Sequence, residues 1–396
     1  MRMIYFTVRL LLIASVLGCL SSSIYYLVCL WSAAAFMRER KAGGGARPAR
    51  SLPGVSILKP LKGTDPDIYE SFRSHCLQDY PEYEIVFGVS DPNDPAIASV
   101  QQLQKEFPGR AIHLVVAPNP LGPNVKVSTL AQMLPTARCE HLIVNDSDIH
   151  VERDYLRRVM APLVADAKND ARVGMVTCPY RGVAARTLGS RLESLGISTD
   201  FCAGVLVARQ LEGGLRFGLG STLAFRKVDL ERVGGFKAIV DFLADDYELG
   251  RRITGLGLQV RLSDVVVETH LPGYDLRGFW AHQLRWARGL RDSRPGGYFG
   301  LVSTFGLVWA LLNLIAAHAA PWSWAVLGTV VLLRLAVALA VGKGALEDSR
   351  LLKNLWLLPL RDLVAAAVWM ASYAGHSITW RGDSFVLKDG KLIRSS

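Results

Sequence analysis

Two acidic islands, Asp146-Ser147-Asp148 and Asp245-Asp246, and a basic-aromatic cluster, His282-Gln283-Leu284-Arg285-Trp286, are the residues whose types and spacing can do chemistry. Carboxylates with one residue between them can share a hard divalent cation with the oxygens of a diphosphate. A second acidic pair can take the proton of an attacking hydroxyl, since a neighbouring acid raises a base's pKa toward the working range. In a helix, residues three and four apart are neighbours, so His282, Arg285 and Trp286 share a face, the guanidinium suited to a diphosphate and the indole to a sugar or a lipid. Plainer readings exist for each. Acids at strand ends cap helices or stay solvated, and acids at helix N-termini are favoured by the dipole. A helix carrying Arg285, Arg288 and Arg291 with Trp280 and Trp286 can simply lie at lipid headgroup level.

These residues need a scaffold, and the apolar pattern supplies one. Strands are predicted at Val55 to Leu58, Glu84 to Val89, Ile112 to Val116, Leu142 to Asn145 and Val173 to Thr177. Helical spacing falls between and after them, at Ile68 to Leu77, Ile97 to Phe107, Val127 to Leu134, Tyr155 to Val164 and Asp246 to Thr254. Alternation of this kind predicts a sheet covered by helices, the Rossmann-like half of a nucleotide-binding domain. Ligands in such sheets collect beyond the carboxyl ends of the strands, and Asp91, Asp146 and Asp148 fall there. Asp94, between Pro92 and Pro95, reads equally well as a turn residue.

Around this domain the chain is too apolar for a soluble enzyme. Hydrophobic residues make up 50% of its 396 positions, and the formal net charge is +10. Residues 1–37 read as a membrane anchor, with an apolar run from Tyr5 to about Phe36 where a crossing takes roughly 20 residues. Arg38, Arg40, Lys41, Arg47 and Arg50 follow it, so the positive-inside bias puts the next domain in the cytoplasm. A basic Gly/Pro tether spans 38–52, the catalytic domain 53–278, an amphipathic interfacial segment 279–298 and a C-terminal membrane region 299–380. The apolar runs of that last region are Phe299 to Ala319, Trp322 to Val341 and Leu355 to Ile378. Three further crossings would put the basic tail, 381–396, outside, yet its Arg381, Lys388, Lys391 and Arg394 favour the inside face. One segment must therefore fail to cross, and the candidates are the Phe299 run and the stretch Ala345 to Leu360.

Six cysteines without C-x-x-C spacing fit free thiols in a reducing compartment. Neither a zinc-finger nor an RNA-binding signature is present, so the positive charge is ascribed to lipid headgroups or an anionic nucleotide rather than to nucleic acid. Acidic pairs, a nucleotide-binding sheet and membrane anchors together imply glycosyl transfer at a membrane surface, with a lipid hydroxyl as acceptor.

The order Asp91, Asp146-Ser147-Asp148, Asp245-Asp246, Arg285-Trp286 resembles the layout of membrane family-2-like glycosyltransferases. Leu58-Lys59-Pro60-Leu61-Lys62-Gly63, Asp79-Tyr80-Pro81-Glu82-Tyr83-Glu84, Asp94-Pro95-Ala96-Ile97 and Ile378-Thr379-Trp380-Arg381 narrow this. They resemble the ceramide glucosyltransferase family, glycosyltransferase family 21, including its bacterial and hopanoid-pathway relatives. The resemblance implies an α/β GT-A domain in the cytosol between N-terminal and C-terminal transmembrane helices, in a bacterial inner membrane. It implies a UDP-sugar donor, Mg2+ or Mn2+, a ceramide-like acceptor and inversion in one displacement. Carried over, Asp91, Asp146, Lys126 and Pro60 would contact the donor nucleotide, Asp148 with Asp146 the cation, and Asp246 would be the general base with Asp245 beside it. Arg285, Trp286 and His282 would complete the catalytic set, although His282 stands where processive synthases carry Gln or Arg. N-acetylglucosamine transfer from UDP-GlcNAc to a hopanoid polyol is the near alternative, and a catalytically silent membrane adaptor the distant one. The segment Arg186 to Phe217 is a candidate acceptor contact, and Gly234-Gly235 a place where backbone could approach the donor sugar.

Overall fold

The structure is a computed structural model describing residues 2–43, 52–165, 172–380 and 382–394. Most of the tether, with Arg47 and Arg50, lies outside the described residues, as does Arg381 of the tail. The chain divides into two compact units. Met1–Ala42, Arg186–Val207 and Tyr274–Ile378 form an apolar helical unit, and Gly43–Ala185, Ala208–Gly273 and Thr379–Ser396 form a unit built on β-sheet. The segment 186–207 thus leaves the sheet domain, although it falls within the stretch 53–278.

In the sheet unit the strands are β1 (Val55–Leu61), β2 (Tyr83–Val89), β3 (Ala111–Val116), β4 (His141–Val144), β5 (Ile149–His150), β6 (Val173–Thr177), β7 (Tyr180–Val183), β8 (Leu223–Arg226), β9 (Gln259–Leu262) and β10 (Val267–His270). Seven of them form one mixed sheet in the order β3-β2-β1-β4-β8-β6-β9, with β8 antiparallel to both β4 and β6. A small sheet, β5-β10-β7, stands beside it. Every residue of β1 and β2 is buried, as expected for parallel strands covered on both faces. Phe72 and Phe87 meet in the core with ring centroids 4.7 Å apart. Between β4 and β5 the chain passes from the large sheet to the small one, and Asp146-Ser147-Asp148 is the turn where it does so.

The helical unit is patterned the other way round. Helix Arg2–Gly43 buries Ser15, Cys19, Ser22, Tyr26, Cys29 and Ala33, and exposes Leu10, Ile13, Leu17, Leu20, Leu27 and Trp31. Small residues at three- and four-residue spacing let helices approach closely, while apolar side chains face outward, the arrangement of a helix in lipid. Gly18 shows how tight this is, since a Cβ there would lie 2.2 Å from the Trp309 ring. Among the described residues, three helices are long and apolar enough to cross a membrane: Phe6–Ala42, Pro321–Ala345 and Leu351–Ser372. The pair Pro295–Thr304 and Gly306–Ala316 passes the same test only jointly, and bends by 51° at its break. All six cysteines are free.

Candidate active site

Lys126 organises the acidic groups of the sheet unit. It stands in the first turn of helix Val125–Met133, whose N-cap Asn124 accepts a hydrogen bond from the Val127 N–H at 3.1 Å. Its Nζ lies 2.8 Å from Asp146 Oδ1 and 3.1 Å from Asp245 Oδ2, joining the two acidic islands. Burial would lower this ammonium's pKa, but Asp146, Asp245 and Asp246 outweigh it and hold the pKa above the ordinary lysine value. Asp246 sits in the first turn of helix Asp245–Gly255 and accepts from the Tyr247 N–H at 2.8 Å. Burial and the adjacent Asp245 raise its carboxyl to about 6 against the pull of Lys126.

Gly220 is what allows the islands to face each other. A Cβ there would lie 2.9 Å from Asp146 Oδ2 and 3.4 Å from Asp246 Oδ2, so only glycine leaves room for both carboxylates. Gly218 helps from the same loop, its N–H donating to the Asp246 carbonyl at 3.2 Å. The loop is fastened to the end of β4 by Asn145, whose Nδ2 donates to the Ser221 carbonyl at 2.6 Å and to Thr222 Oγ1 at 3.1 Å. Gly234 and Gly235 have a different task. They take φ of 94° and 69° in the turn after helix Lys227–Arg232, and a Cβ on Gly235 would meet nothing within 4 Å. Close approach within the protein itself is made at Gly218 and Gly220.

Asp148 accepts from Thr269 Oγ1 of β10, and Ser147 donates to Asp65, so both later members of the turn are held. Burial, reinforced by Asp146, raises the Asp148 carboxyl to about 6. Lys59 is a member of the site that sequence reasoning missed. It is 0% exposed in β1, and its Nζ donates to the Asp146 carbonyl oxygen at 2.9 Å. Burial lowers its ammonium to about 7, opposed by Asp148, Asp146 and Asp65. A lysine inside the apolar run Val55–Leu61 was the available signal. Around the turn, Lys59 feels Asp148, Asp146 and Asp65, and Lys126 feels Asp146, Asp245 and Asp246, so Asp146 is common to both ammoniums. Among the described residues no three His, Cys, Asp or Glu side chains form a ready metal cluster. Asp146 and Asp148 place two carboxylates on one turn, a donor set of the hard-oxygen kind that a divalent cation such as Mg2+ or Mn2+ would take.

Asp91 is exposed beyond β2, where its Oδ1 accepts from the Asn93 N–H at 2.8 Å. Among the described residues no hydrogen bond or ion pair joins it to the Asp146–Asp246 group. Asp94 is a turn residue, its carboxylate taking the N–H groups of Gly63 (2.9 Å) and Ala96 (2.9 Å). Pro60 is buried in β1 opposite Gly88.

The basic-aromatic cluster belongs to the helical unit, on helix Leu276–Ser293. His282 Nδ1 lies 3.1 Å from the buried Glu193 carboxylate, and its ring stacks on Tyr274 at 5.3 Å and meets Trp286 at 5.2 Å. Trp280 and Trp286 are 38% and 37% exposed. Arg291 departs from the lipid-phosphate reading. It is buried, and its guanidinium serves the carbonyls of Ser372 and Gly375, which close helix Leu358–Ser372.

A mixed α/β sheet with an acidic turn at the end of β4, on a chain with membrane-length helices before and after it, is the architecture of a GT-A type glycosyltransferase. The chain belongs to Glycosyl transferase family 21, whose profile matches residues 14–393. It is 22% identical to ceramide glucosyltransferase 1 of Caenorhabditis elegans, over 96% of this chain and 81% of that one. Ceramide glucosyltransferase 3 of the same organism is 24% identical over 87% and 74% of the two chains. Among solved structures, a mannosyltransferase from Pyrobaculum calidifontis in complex with GDP-Man and Mn2+ aligns with a TM-score of 0.49 at 20% identity, covering 90% of this chain and 98% of that one.

Proposed function

We propose that this enzyme transfers glucose from UDP-glucose to a hydroxyl of a ceramide-like lipid at the cytosolic leaflet, with inversion at the anomeric carbon. The observation that carries the reading is the meeting of Asp146 and Asp246 across Gly220, bridged through Asp245 by Lys126, in a family 21 chain. Asp246, raised to about 6, is ionised at neutral pH yet basic enough to take the acceptor's proton. As the acceptor oxygen bonds to the anomeric carbon, the bond from that carbon to the UDP oxygen breaks, and no covalent enzyme intermediate is needed. Lys126 offsets charge on the leaving diphosphate. Asp146 and Asp148 would hold a divalent cation, which when bound supplies charge neutralisation to the diphosphate. Asp91 and Pro60 are assigned to the nucleotide. Arg285 is assigned to the charge developing on UDP, Trp286 to the sugar or lipid, and His282 completes the set beside them.

The same reading orients the chain. The tail hairpin, Asp383–Lys388 with Lys391–Arg394, bonds to the loop ahead of the acidic pair: Leu392 N–H donates to the Asp241 carbonyl at 2.7 Å and Leu243 N–H to the Gly390 carbonyl at 3.1 Å. Sheet domain and tail therefore share one side, and the number of crossings between them is even. Pro321–Ala345 and Leu351–Ser372 supply two, so the reading takes the bent pair Pro295–Thr304 and Gly306–Ala316 as a re-entrant segment rather than a third crossing. The positive residues after the first helix put that side in the cytosol.

The testing experiment expresses the chain in a host lacking glycolipids and analyses its lipids by mass spectrometry. A hexosyl ceramide-like product that requires UDP-glucose is expected. N-acetylhexosaminyl hopanoids would move the assignment to the UDP-GlcNAc alternative, and no new glycolipid with purified, donor-binding protein would overturn transfer altogether.

A further inference from the structure

The loop 240–244 leads into the acidic pair Asp245-Asp246 and belongs to no strand or helix of its own. Its main-chain groups are bonded instead by two elements of the sheet unit that are distant in sequence. One is Asn124, whose N–H donates to the Val240 carbonyl at 2.9 Å and whose Nδ2 donates to the Phe242 carbonyl at 2.7 Å. The other is the C-terminal hairpin, which takes the groups left between: Leu392 N–H donates to the Asp241 carbonyl at 2.7 Å, and Leu243 N–H to the Gly390 carbonyl at 3.1 Å. These two bonds flank an antiparallel bridge between Phe242 and Lys391. Successive carbonyls of an extended segment point opposite ways, so Asn124 and the hairpin hold the loop from opposite edges.

The hairpin is shaped to offer those groups. Asp389 and Gly390 take φ of 52° and 77°, the two positive values of a type I′ turn, and Lys388 pairs with Lys391 and Leu387 with Leu392. Along an antiparallel pair, residues alternate between bonding their partner and turning their N–H and C=O away from it. A two-residue turn closes on a bonded pair, here Lys388 and Lys391, so the N–H of Leu392 is turned outward and meets Asp241. Phe242 adds a side-chain link. Its ring lies 5.5 Å from Lys391 Nζ and 5.9 Å from Arg252 Cζ, and Arg252 stands on helix Asp245–Gly255, where its Nε is 2.7 Å from Glu248 Oε1. Hairpin and acid-bearing helix are thereby tied through one aromatic ring.

Asn124 also caps the helix that carries Lys126, through the Val127 N–H. The 3.1 Å contact between Lys126 Nζ and Asp245 Oδ2 is therefore spanned by a loop that Asn124 holds at one edge and the hairpin at the other. Without the hairpin, the Asp241 carbonyl and the Leu243 N–H lose these partners within four residues of Asp245, and the acidic pair is free to drift from Lys126 and Asp146. We propose that the C-terminal hairpin is a positioning element of the active site, acting through the main chain of Leu392 and Gly390 to hold Asp246 where it takes the acceptor's proton. This rests on the assignment of Asp246 as base in the preceding section.

The test measures kcat per folded molecule and the KM for UDP-glucose, in the full-length enzyme in lipid nanodiscs with a ceramide-like acceptor. Leu392→Ala loses the side chain and keeps the N–H, whereas Leu392→Pro loses both, at a position whose N–H the hairpin itself does not use. Leu392→Pro is expected to lower kcat about tenfold below Leu392→Ala, with KM within about twofold, because a misplacement of about 1 Å at a reacting group costs up to about 10²-fold. In an Asp246→Asn background the two should differ by less than about twofold, since a residue that acts through the base then has nothing to position. Gly390→Ala, strained at a φ of 77°, should show the same pattern at about threefold, and it decides alone if Leu392→Pro does not fold. Unchanged kcat in the deciding variant would overturn the proposal, as would a fall that survives in the Asp246→Asn background, the mark of a hairpin that serves the fold alone. Absence of transfer by the unaltered enzyme, or full turnover in Asp246→Asn, would instead remove the base assignment and this role with it.

Discussion

Each unit buries a cluster of charges, and the two are built to opposite electrostatic rules. In the sheet unit, five carboxylates surround two ammoniums, and both Asp148 and Asp246 are pushed up to about 6 by burial and by neighbouring acids. That excess of negative charge is offset by Lys59 and Lys126 and by the solvent that reaches Asp146, and under the proposed function a divalent cation would offset it further. In the helical unit, the guanidiniums of Arg334 and Arg361 meet the carboxylates of Asp200 and Asp362, with bidentate geometry at Arg334 and Asp362, and no net charge remains. An apolar surrounding admits only the balanced form, since an unmatched charge among membrane helices has neither water nor counterion to relieve it. Under the proposed function the first cluster would change its charge during a turnover, while the second keeps its charge constant.

The largest break in that contrast is expected from Asp246→Asn. The amide keeps the shape and the hydrogen bond from Tyr247 but cannot take a proton, so transfer should fall by about 10²- to 10⁴-fold while UDP-glucose binding stays within a few-fold. Unchanged turnover in a folded variant would remove Asp246 as the base. Next in size is Lys126→Met, which leaves Asp146 and Asp245 without their shared cation; turnover should drop about 10²-fold, as for other lost stabilisers of developing charge. A purely structural lysine would lower the amount of folded protein and leave the rate per molecule alone.

A smaller effect, about tenfold in kcat/KM, is expected from Gly220→Ala, whose methyl would push Asp146 and Asp246 apart without disturbing the sheet. The pH profile sharpens the same contrast. Asp246 must be ionised to act, so activity should fall as pH drops through about 6. Saturating Mn2+ should leave that limb in place, since the cation is assigned to Asp146 and Asp148. Stability should run the other way. Asp148 and Asp246 hold protons more tightly folded than unfolded, so the metal-free sheet unit should gain stability as pH falls through about 6 and lose it as pH rises. A pH–rate profile with and without saturating Mn2+ measures the first, and thermal unfolding of the metal-free protein followed with pH measures the second.

Much of the sheet unit was legible in the pattern of apolar residues. Val173–Thr177 and Tyr155–Val164 run between the residues that periodicity names, because their ends coincide with changes from apolar to polar. The strand beginning at Val55 was expected to end at Leu58, yet it continues through Lys59 and Pro60 to Leu61. A charge in an apolar run looks like a terminus until its partner, the Asp146 carbonyl, is brought across from β4. The roles of Gly218 and Gly220 were hidden for the same reason, since what crowds a glycine is decided by residues distant in the chain. Helical segment Arg186–Val207 resisted assignment because Glu193 and Asp200 interrupt it, and their partners His282 and Arg334 stand far along the sequence. Periodicity reports which face is buried, but not which long-range charge makes a polar residue welcome there.

Asp94 offers the finest comparison, because it is an acid close to the others in sequence motif and unlike them in use. Its two oxygens are occupied by the N–H groups of Gly63 and Ala96, which fixes the turn after β1 and starts helix Ala96–Glu106. Asp94→Ala would leave two N–H groups without acceptors, and stability should fall by about 1–3 kcal/mol. Turnover per folded molecule should stay within about twofold, whereas Asp148→Ala should lower turnover and weaken the response to Mn2+. Asp94→Asn, which retains one oxygen, should cost less than the alanine variant. Chemical denaturation measures the first and third effects, and a rate normalised to folded enzyme measures the second. If Asp94→Ala abolished transfer while leaving stability intact, a line between acids that shape the fold and acids that meet substrate could not be drawn by counting which oxygens the backbone already holds.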